Sequence, residues 1–158
     1  MIIMGLDPGV ATVGYGVVEY SGGKFIRSDY GVILTPAKTL LEDRLEQIYD
    51  ESRQLLEYYK VEVAAMEKLY FNTNITTGIA VAEARGVLML ATVKQRIPCY
   101  EYTPLQVKQA VTGYGRAEKQ QVMAMVKMIL NLDKIPRPDD AADGLALAVC
   151  QAHCMRGL

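Results

Sequence analysis

Four carboxylates, supplied by three separated stretches of the chain, could together bind divalent metal ions. Asp7 closes an apolar run, Glu67 follows the stretch VEVAAM, and Asp140 and Asp143 lie three residues apart in PDDAADG. Carboxylate oxygens are hard ligands that suit Mg²⁺ or Mn²⁺. Two such ions a few ångströms apart can activate a water and stabilise the leaving oxygen during phosphodiester hydrolysis. These residue types therefore indicate metal-assisted cleavage of a phosphodiester.

Each of these acids also has a structural explanation that needs no metal. An Asp at a strand end can hydrogen-bond its own turn, and a Glu there can simply face water. Acids in the first turn of a helix are favoured by capping and by the helix dipole. Taken singly, Asp7 and Glu67 are better explained in this way. Asp140 and Asp143 differ, because the apolar residues 145–149 force this helix start against the core, where carboxylates would need a cation.

The elements that position these acids follow from the hydrophobic pattern. Residues 2–6, 13–20 and 24–33 read as strands, and the turn residues between them favour an antiparallel meander. Apolar positions within 38–60 recur at helical intervals, and a buried strand over 61–66 then leads to Glu67.

The second half of the chain alternates helices and strands. The pattern predicts a helix over about 75–95, a strand over 99–102, and further helices over about 104–112, 117–130 and 139–153. Strands first, followed by alternating helices and strands, predict a mixed sheet covered by helices. No internal repeat interrupts this order.

Length and composition favour one cytoplasmic domain over residues 1–158. The chain has 158 residues, of which 51% are hydrophobic and 22% charged, as in globular domains. A secretory leader is not expected, because MIIM runs straight into Asp7 without a basic region or a cleavage site. A membrane span is not expected either, because Glu83 and Arg85 interrupt the most apolar long stretch. Without an export signal, Cys99, Cys150 and Cys154 are expected to be reduced, buried thiols.

Charge is distributed unevenly along the chain, although the net charge is only −1. Residues 38–67 hold eight acids and four bases, whereas residues 94–137 hold eight bases and three acids. One part of the surface could therefore attract phosphates while another repels them, which suits a protein that grips nucleic acid on one face. Ordinary solvated charge explains the same pattern equally well.

Five successive segments carry a family resemblance that covers the chain from about residue 2 to residue 155. In order they are GLDPGVATVGYGVV, MEKLYFNTN, EARGVLM, YTPLQVKQAVTGYGRAEKQQV and PDDAADGLALAVC. They resemble the signature segments of the RuvC resolvases. The resemblance implies an α/β, RNase H-like fold whose mixed five-stranded sheet is flanked by helices on both faces. It also implies a homodimer that cleaves four-way DNA junctions together with the RuvA and RuvB branch-migration proteins.

The resemblance further implies roles for individual residues. Two Mg²⁺ ions, for which Mn²⁺ could substitute, would be bound by the catalytic set Asp7, Glu67, Asp140 and Asp143. Asp139 is an adjacent acid outside the family pattern. DNA would be contacted by aromatic and basic residues, namely Tyr70, Phe71, Lys108, Arg116 and Lys119. One or both rings could instead fill the core, and isolated lysines are often merely solvated.

Three other protein classes share part of this pattern. GLDPGVATVG also resembles the first phosphate loop of actin-like ATPases and sugar kinases, but those proteins need a second such domain. The smaller YqgF-type nucleases share acids at Asp7 and Glu67, whereas the DAAD ending and VKQAVTG favour RuvC. A DNA-binding scaffold without activity would be expected to have lost a carboxylate, and all four are present.

The helix over 75–95 is the predicted pairing element of the homodimer. Its small and apolar residues cover more surface than one sheet face could bury: Ile79, Ala80, Val81, Ala84, Val87 and Leu88. In the family that the sequence resembles, this helix pairs two protomers. A two-fold axis would then place two sites on opposite strands of a junction.

Overall fold

The computed structural model describes residues 1–69 and 75–155, and of residues 75–77 it describes only the helical backbone. The strands are β1 (Ile2–Asp7), β2 (Thr12–Ser21), β3 (Lys24–Leu34), β4 (Val63–Glu67) and β5 (Cys99–Tyr102). The helices are α1 (Leu41–Tyr58), α2 (Ile75–Lys94), α3 (Pro104–Thr112), α4 (Lys119–Ile129) and α5 (Asp139–Cys154). The predicted elements are confirmed, with boundaries that differ by at most a few residues.

The strands form one mixed sheet in the order β3-β2-β1-β4-β5. β1 pairs with β2 and β2 with β3 in antiparallel register, as expected for a meander. β4 pairs in parallel with β1 on one side and with β5 on the other. Because Leu6 lies opposite Met66, Asp7 and Glu67, the last residues of these two strands, lie at the same edge of the sheet.

Helices cover both faces of this sheet, which confirms the expected architecture. Successive residues of β1 point to opposite faces, so Ile3 joins the core under α3, α4 and α5, while Met4 joins the core under α1 and α2. Both side chains are fully buried. One sheet therefore supports two apolar cores, and its central strand ends at Asp7.

Glycines bring α5 unusually close to the sheet. A Cβ atom added to Gly14 would lie 1.9 Å from the backbone oxygen of Asp140, and one added to Gly16 would lie 2.3 Å from the backbone nitrogen of Leu145. Only residues without a side chain allow this approach of helix to strand. Since Gly14 pairs with Asp7, the close packing sets the start of α5 beside the end of β1.

The cysteines differ from the sequence-based expectation. All three are free, but only Cys150 is buried, while Cys99 is half-buried and Cys154 is exposed. The expectation of a buried thiol is wrong for Cys154, because α5 reaches the surface at its last turn. Among the described helices, none combines the length and the apolar character that a membrane crossing requires.

Candidate active site

A cleft of about 350 Å³ lies at the edge where β1 and β4 end. Three of the four predicted carboxylates line it together with two lysines, namely Asp7, Glu67, Asp143, Lys108 and Lys119. An apolar wall from α3, α4 and α5 completes the lining, with Val107, Val122 and Leu147 among its residues. The cleft thus combines three carboxylates and an apolar wall with a rim formed by Lys108 and Lys119.

The start of α5 supplies Asp143 and the fourth predicted acid, Asp140. Asp140 and Asp143 are both half-buried and, being three residues apart, lie on one face of the helix. Asp140 is not among the described residues that line the cleft, but its charge still acts on Asp7. The packing of Gly14 against the backbone of Asp140 fixes this end of the helix.

Helix capping does not account for the acids at the start of α5. The N-cap residue is Pro138, and no side chain caps the described backbone there. Asp139 instead pairs with Arg137 and lies 3.7 Å from the Nζ atom of Lys119. Its ion pair with Arg137, together with its absence from the described residues that line the cleft, distinguishes Asp139 from Asp143.

Electrostatics at the cleft show an excess of negative charge. Burial raises the pKa of Asp7 from 3.8 to about 7, and the charges of Asp143, Asp140 and Glu67 contribute to this rise. Loss of solvent, followed by the charge of Asp143, also raises the pKa of Glu67, although Glu67 is the more exposed of the two acids. Carboxylates that raise one another's pKa in this way are stabilised by a cation placed between them.

Lys119 is a cation in direct contact with this cluster. Its Nζ atom donates a hydrogen bond of 2.8 Å to Asp143. Burial alone would lower the pKa of Lys119, but the hydrogen bond to Asp143 and the nearby charges of Asp143, Asp139 and Asp7 outweigh it and raise the pKa. Lys119 therefore stays protonated, and together with Lys108 it offsets part of the rise in the pKa of Glu67.

The donor set fits a hard divalent cation in its chemistry. The charged groups that raise the pKa of Asp7 are the carboxylates of Asp143, Asp140 and Glu67. Carboxylate oxygens are the ligands that Mg²⁺ and Mn²⁺ prefer. As the side chains stand, no three His, Cys, Asp or Glu side chains within residues 1–69 and 75–155 are grouped tightly enough to hold an ion. Lys119, which pairs with Asp143, supplies one positive charge to this cluster of acids.

The predicted DNA-contacting residues are distributed differently. Tyr70 and Phe71 lie outside the described residues. Lys108 on α3 and Lys119 at the start of α4 both line the cleft. Arg116 is exposed in the connection between these helices and is not among the residues that line the cleft. The structure therefore brings two of the three predicted bases to the carboxylates.

Local sequence explains why both lysines stand at the rim. Thr103 and Gln106 form a capping box at the start of α3, with hydrogen bonds of 3.1 and 2.9 Å. Gly113 ends the helix with a left-handed φ of 76°. α3 is thereby held to a short, defined length that carries Lys108, and α4 begins at Lys119 on the other side of the connection.

One pair of residues near the cleft is missed by sequence reasoning. Arg85 on α2 pairs with Glu101 on β5, and its Nε atom donates to the backbone oxygen of Glu67 at 3.4 Å. In the sequence, Arg85 stands out only as a charge that interrupts an apolar stretch. A charge in such a stretch needs a partner when it is sheltered, and that requirement is the signal for this contact.

Comparison with known proteins places this architecture in one family. The family model described as crossover junction endodeoxyribonuclease RuvC matches residues 3–151. The chain is 54% identical over 153 residues to the crossover junction endodeoxyribonuclease RuvC of Alkaliphilus metalliredigens, covering 97% of this chain and 93% of the relative. It is 53% identical over 153 residues to the protein of that name from Clostridioides difficile, covering 97% and 90%.

A solved structure agrees with this relationship. The T. thermophilus RuvC in complex with Holliday junction substrate superposes with a TM-score of 0.91 at 32% sequence identity, covering 99% of this chain and 96% of that one. The match of the whole sheet and its helices, together with the family model and the sequence relatives, leaves one assignment. This chain belongs to the RuvC family of crossover junction endodeoxyribonucleases.

Proposed function

We propose that this protein resolves four-way DNA junctions by paired, symmetric nicks through metal-assisted phosphodiester hydrolysis, in DNA recombination and repair. The observation that carries the proposal is the meeting of carboxylates from β1, β4 and α5 at a cleft whose rim bears two lysines. The RuvC relative solved with a Holliday junction supports the choice of substrate.

In this proposal Asp7, Glu67, Asp140 and Asp143 would hold two Mg²⁺ ions, or Mn²⁺ in their place. When bound, the ions would activate a water and neutralise charge that develops on the leaving oxygen. Lys108 neutralises a phosphate at the rim, where its charge already offsets part of the rise in the pKa of Glu67. The apolar wall formed by Val107, Val122 and Leu147 restricts bulk water and strengthens the electrostatic interactions in the cleft.

A cleavage assay tests this function directly. Purified protein is incubated with a synthetic four-way junction or with linear duplex of the same sequence, in Mg²⁺ or in EDTA. We expect paired nicks only in the junction and only with Mg²⁺. Equal cutting of the linear duplex would contradict the substrate, and cutting in EDTA would contradict the metal-assisted mechanism.

Lys108 provides a prediction about DNA affinity. Lys108→Ala removes a cation from the cleft rim, so we expect weaker junction binding and a salt dependence that is shallower by about one counterion. The measurement is the junction Kd at several salt concentrations, made in Ca²⁺ or with an inactive protein. Lys38→Ala, which removes an exposed lysine from the acidic part of the chain, is the matched control and should leave both quantities unchanged. An equal effect of both variants would contradict a phosphate contact at Lys108.

Homodimerisation is proposed through α2. Exposed apolar residues recur along one face of this helix at Ile79, Leu90 and Val93, with exposed fractions of 51%, 47% and 68%. Gly86 lies on the same face, and a Cβ atom added to it would meet nothing within 4 Å. This open apolar face is available to a second copy. Of the small and apolar residues that the sequence analysis names on this helix, Ala84 and Leu88 are fully buried in the protomer's own core and so do not belong to this face.

A charge on that face is expected to separate the protomers. Leu90→Glu would bury a carboxylate on association, so we expect a loss of about 2 kcal/mol, or roughly 30-fold in the dimer Kd. Analytical ultracentrifugation measures the change. Met128→Glu, on an apolar residue of α4 that is 72% exposed, places the same charge elsewhere and should not alter assembly. An unchanged dimer Kd for Leu90→Glu would exclude α2 as the pairing element.

Family membership supports the remaining parts of the proposal. We infer a single cytoplasmic nuclease domain over residues 1–158, because one sheet carries both described cores, and we infer that RuvA and RuvB supply the junction. Tyr70 and Phe71 are proposed to contact unpaired bases beside the cut, and Arg116 is proposed as a peripheral phosphate contact.

A further inference from the structure

Arg85 joins three elements at the edge of the sheet near the cleft. It lies on α2, its Nε atom donates to the backbone oxygen of Glu67 at the end of β4 at 3.4 Å, and its Nη2 atom pairs with Glu101 on β5. The exposed fractions of the two paired side chains are 18% and 35%. Among the ion pairs of the described residues this one is the most sheltered, which distinguishes it from ordinary surface charge.

The guanidinium suits a contact with two strands at once. It presents several N–H donors in a rigid plane, so one side chain can hold a carbonyl and a carboxylate together. β4 and β5 are parallel neighbours, and the last described contact between their backbones is the 2.8 Å hydrogen bond from the Lys68 nitrogen to the Tyr102 oxygen. Beside this contact, Arg85 ties the end of β4 to β5 and α2.

We propose that Arg85 is a positioning residue that fixes the backbone at Glu67 and thereby holds the Glu67 carboxylate in the cleft. Arg85 is not among the described residues that line the cleft, so it acts through Glu67 and Glu101. The inference rests on the proposed function, in which Glu67 is a metal ligand. It adds the residue that keeps this ligand in place.

Binding of Mn²⁺ to the DNA-free protein tests the inference without relying on cleavage. We expect Arg85→Gln to weaken Mn²⁺ binding about tenfold, the range typical for loss of a group that orients a ligand. Arg85→Lys keeps a cation for Glu101 but loses the planar fork, so its affinity should be intermediate. Arg53→Gln is the matched control, because it removes an arginine from an exposed ion pair on α1 and should leave Mn²⁺ affinity unchanged.

A double-mutant cycle separates positioning from general stability. In a Glu67→Gln background, Arg85→Gln should have no further effect on Mn²⁺ affinity, because the ligand that it positions has already been altered. For the single variant Arg85→Gln, junction affinity should stay within about twofold of the parent protein. The Mg²⁺ concentration that this variant needs for half-maximal cleavage should rise about tenfold. A merely structural role would instead lower the melting temperature and weaken Mn²⁺ binding equally in both backgrounds.

Each outcome decides the inference. Wild-type Mn²⁺ affinity in Arg85→Gln, or equal losses in the parent and in the Glu67→Gln background, would overturn the positioning role while the proposed function stands. If Arg85→Gln does not fold, the same comparison is made with Arg85→Lys, where unchanged Mn²⁺ affinity is again contradictory. A Glu67→Gln protein that binds Mn²⁺ and cuts junctions normally would overturn the metal-ligand role of Glu67 and the inference with it, while cleavage of junctions as the proposed function would still stand.

Discussion

Replacing Asp7 with Asn is expected to slow junction cleavage on the order of 10³-fold, the size of effect seen when a preorganised charge contact is removed from an active site. Asp7 ends the central strand, lines the cleft and is the acid on which the charges of Asp143, Asp140 and Glu67 all act. Junction affinity should change little, because phosphate contacts elsewhere provide most of it. Single-turnover rates at saturating Mg²⁺, together with junction Kd, measure the two quantities separately.

Asp139→Asn is the matched control for this variant. Asp139 sits in the same acidic cluster, but it pairs with Arg137 and is not among the described residues that line the cleft. We expect a change in rate of no more than about threefold, as for an exposed ion pair. Near-normal cleavage by Asp7→Asn would refute the proposed ligand set, and a severe loss in Asp139→Asn would show that a different aspartate binds the metal.

The Asp7→Asn protein should also be more stable than the parent in EDTA at pH 8. A folded-state pKa raised from 3.8 to about 7 means that the folded protein binds the proton more tightly than the unfolded chain. Stability is therefore lost as pH rises from about 4 to 7, and the loss is complete above pH 7. Asn cannot ionise, so the variant avoids this loss. We expect its free energy of unfolding to exceed that of the parent by on the order of 2 kcal/mol, after allowance for partial hydration. Urea unfolding at pH 4 and pH 8 should show the gain only at pH 8.

A methyl group at Gly14 is expected to impair both folding and catalysis. In Gly14→Ala the new Cβ atom would lie 1.9 Å from the Asp140 backbone oxygen and 2.8 Å from its Cβ atom, so α5 must move away from β2. We expect a loss of about 3 kcal/mol in the free energy of unfolding, as in other overpacked cores. Displacement of Asp140 and Asp143 by even about 1 Å should slow cleavage about 10²-fold. Urea denaturation and single-turnover cleavage measure the two effects.

Gly31→Ala makes the same chemical change on the neighbouring strand. There the nearest atom to the new Cβ is the hydroxyl of Tyr15 at 2.5 Å, the far end of a side chain that can rotate away. We therefore expect a loss below about 1 kcal/mol and a normal cleavage rate. If both alanine variants were equally active, the close contact between α5 and β2 would not be what places the two aspartates.

The sequence was sufficient to predict the sheet and the edge at which the acids meet. Apolar runs that end at Asp7 and Glu67 define two strands, and parallel neighbours bring their ends to one edge. The hydrophobic pattern after residue 139 likewise predicts a helix that begins near Asp140 and Asp143, as the structure shows. These predictions succeeded because they depend on local pattern, which tertiary packing did not override.

Contacts between distant elements could not be predicted in the same way. The pairing of Arg85 with Glu101 depends on where α2 lies relative to β5, which periodicity does not specify. For the same reason Ala84 and Leu88 could not be distinguished from the open face of α2, since apolarity alone does not say which face meets the sheet. The glycines at 14 and 16 carried a usable signal, because glycine at alternate positions of a strand marks one face for close approach.

Two of the four carboxylates are synthesised late, because α5 follows the other described elements in the chain. In the described part of the chain this helix comes after every other element, and it carries Asp140 and Asp143. A nascent or prematurely terminated chain that stops before α5 lacks half of the acids and the helix that packs on Gly14. If the proposed ligand set is right, such fragments could not assemble the site, and incomplete synthesis is expected to yield no active nuclease.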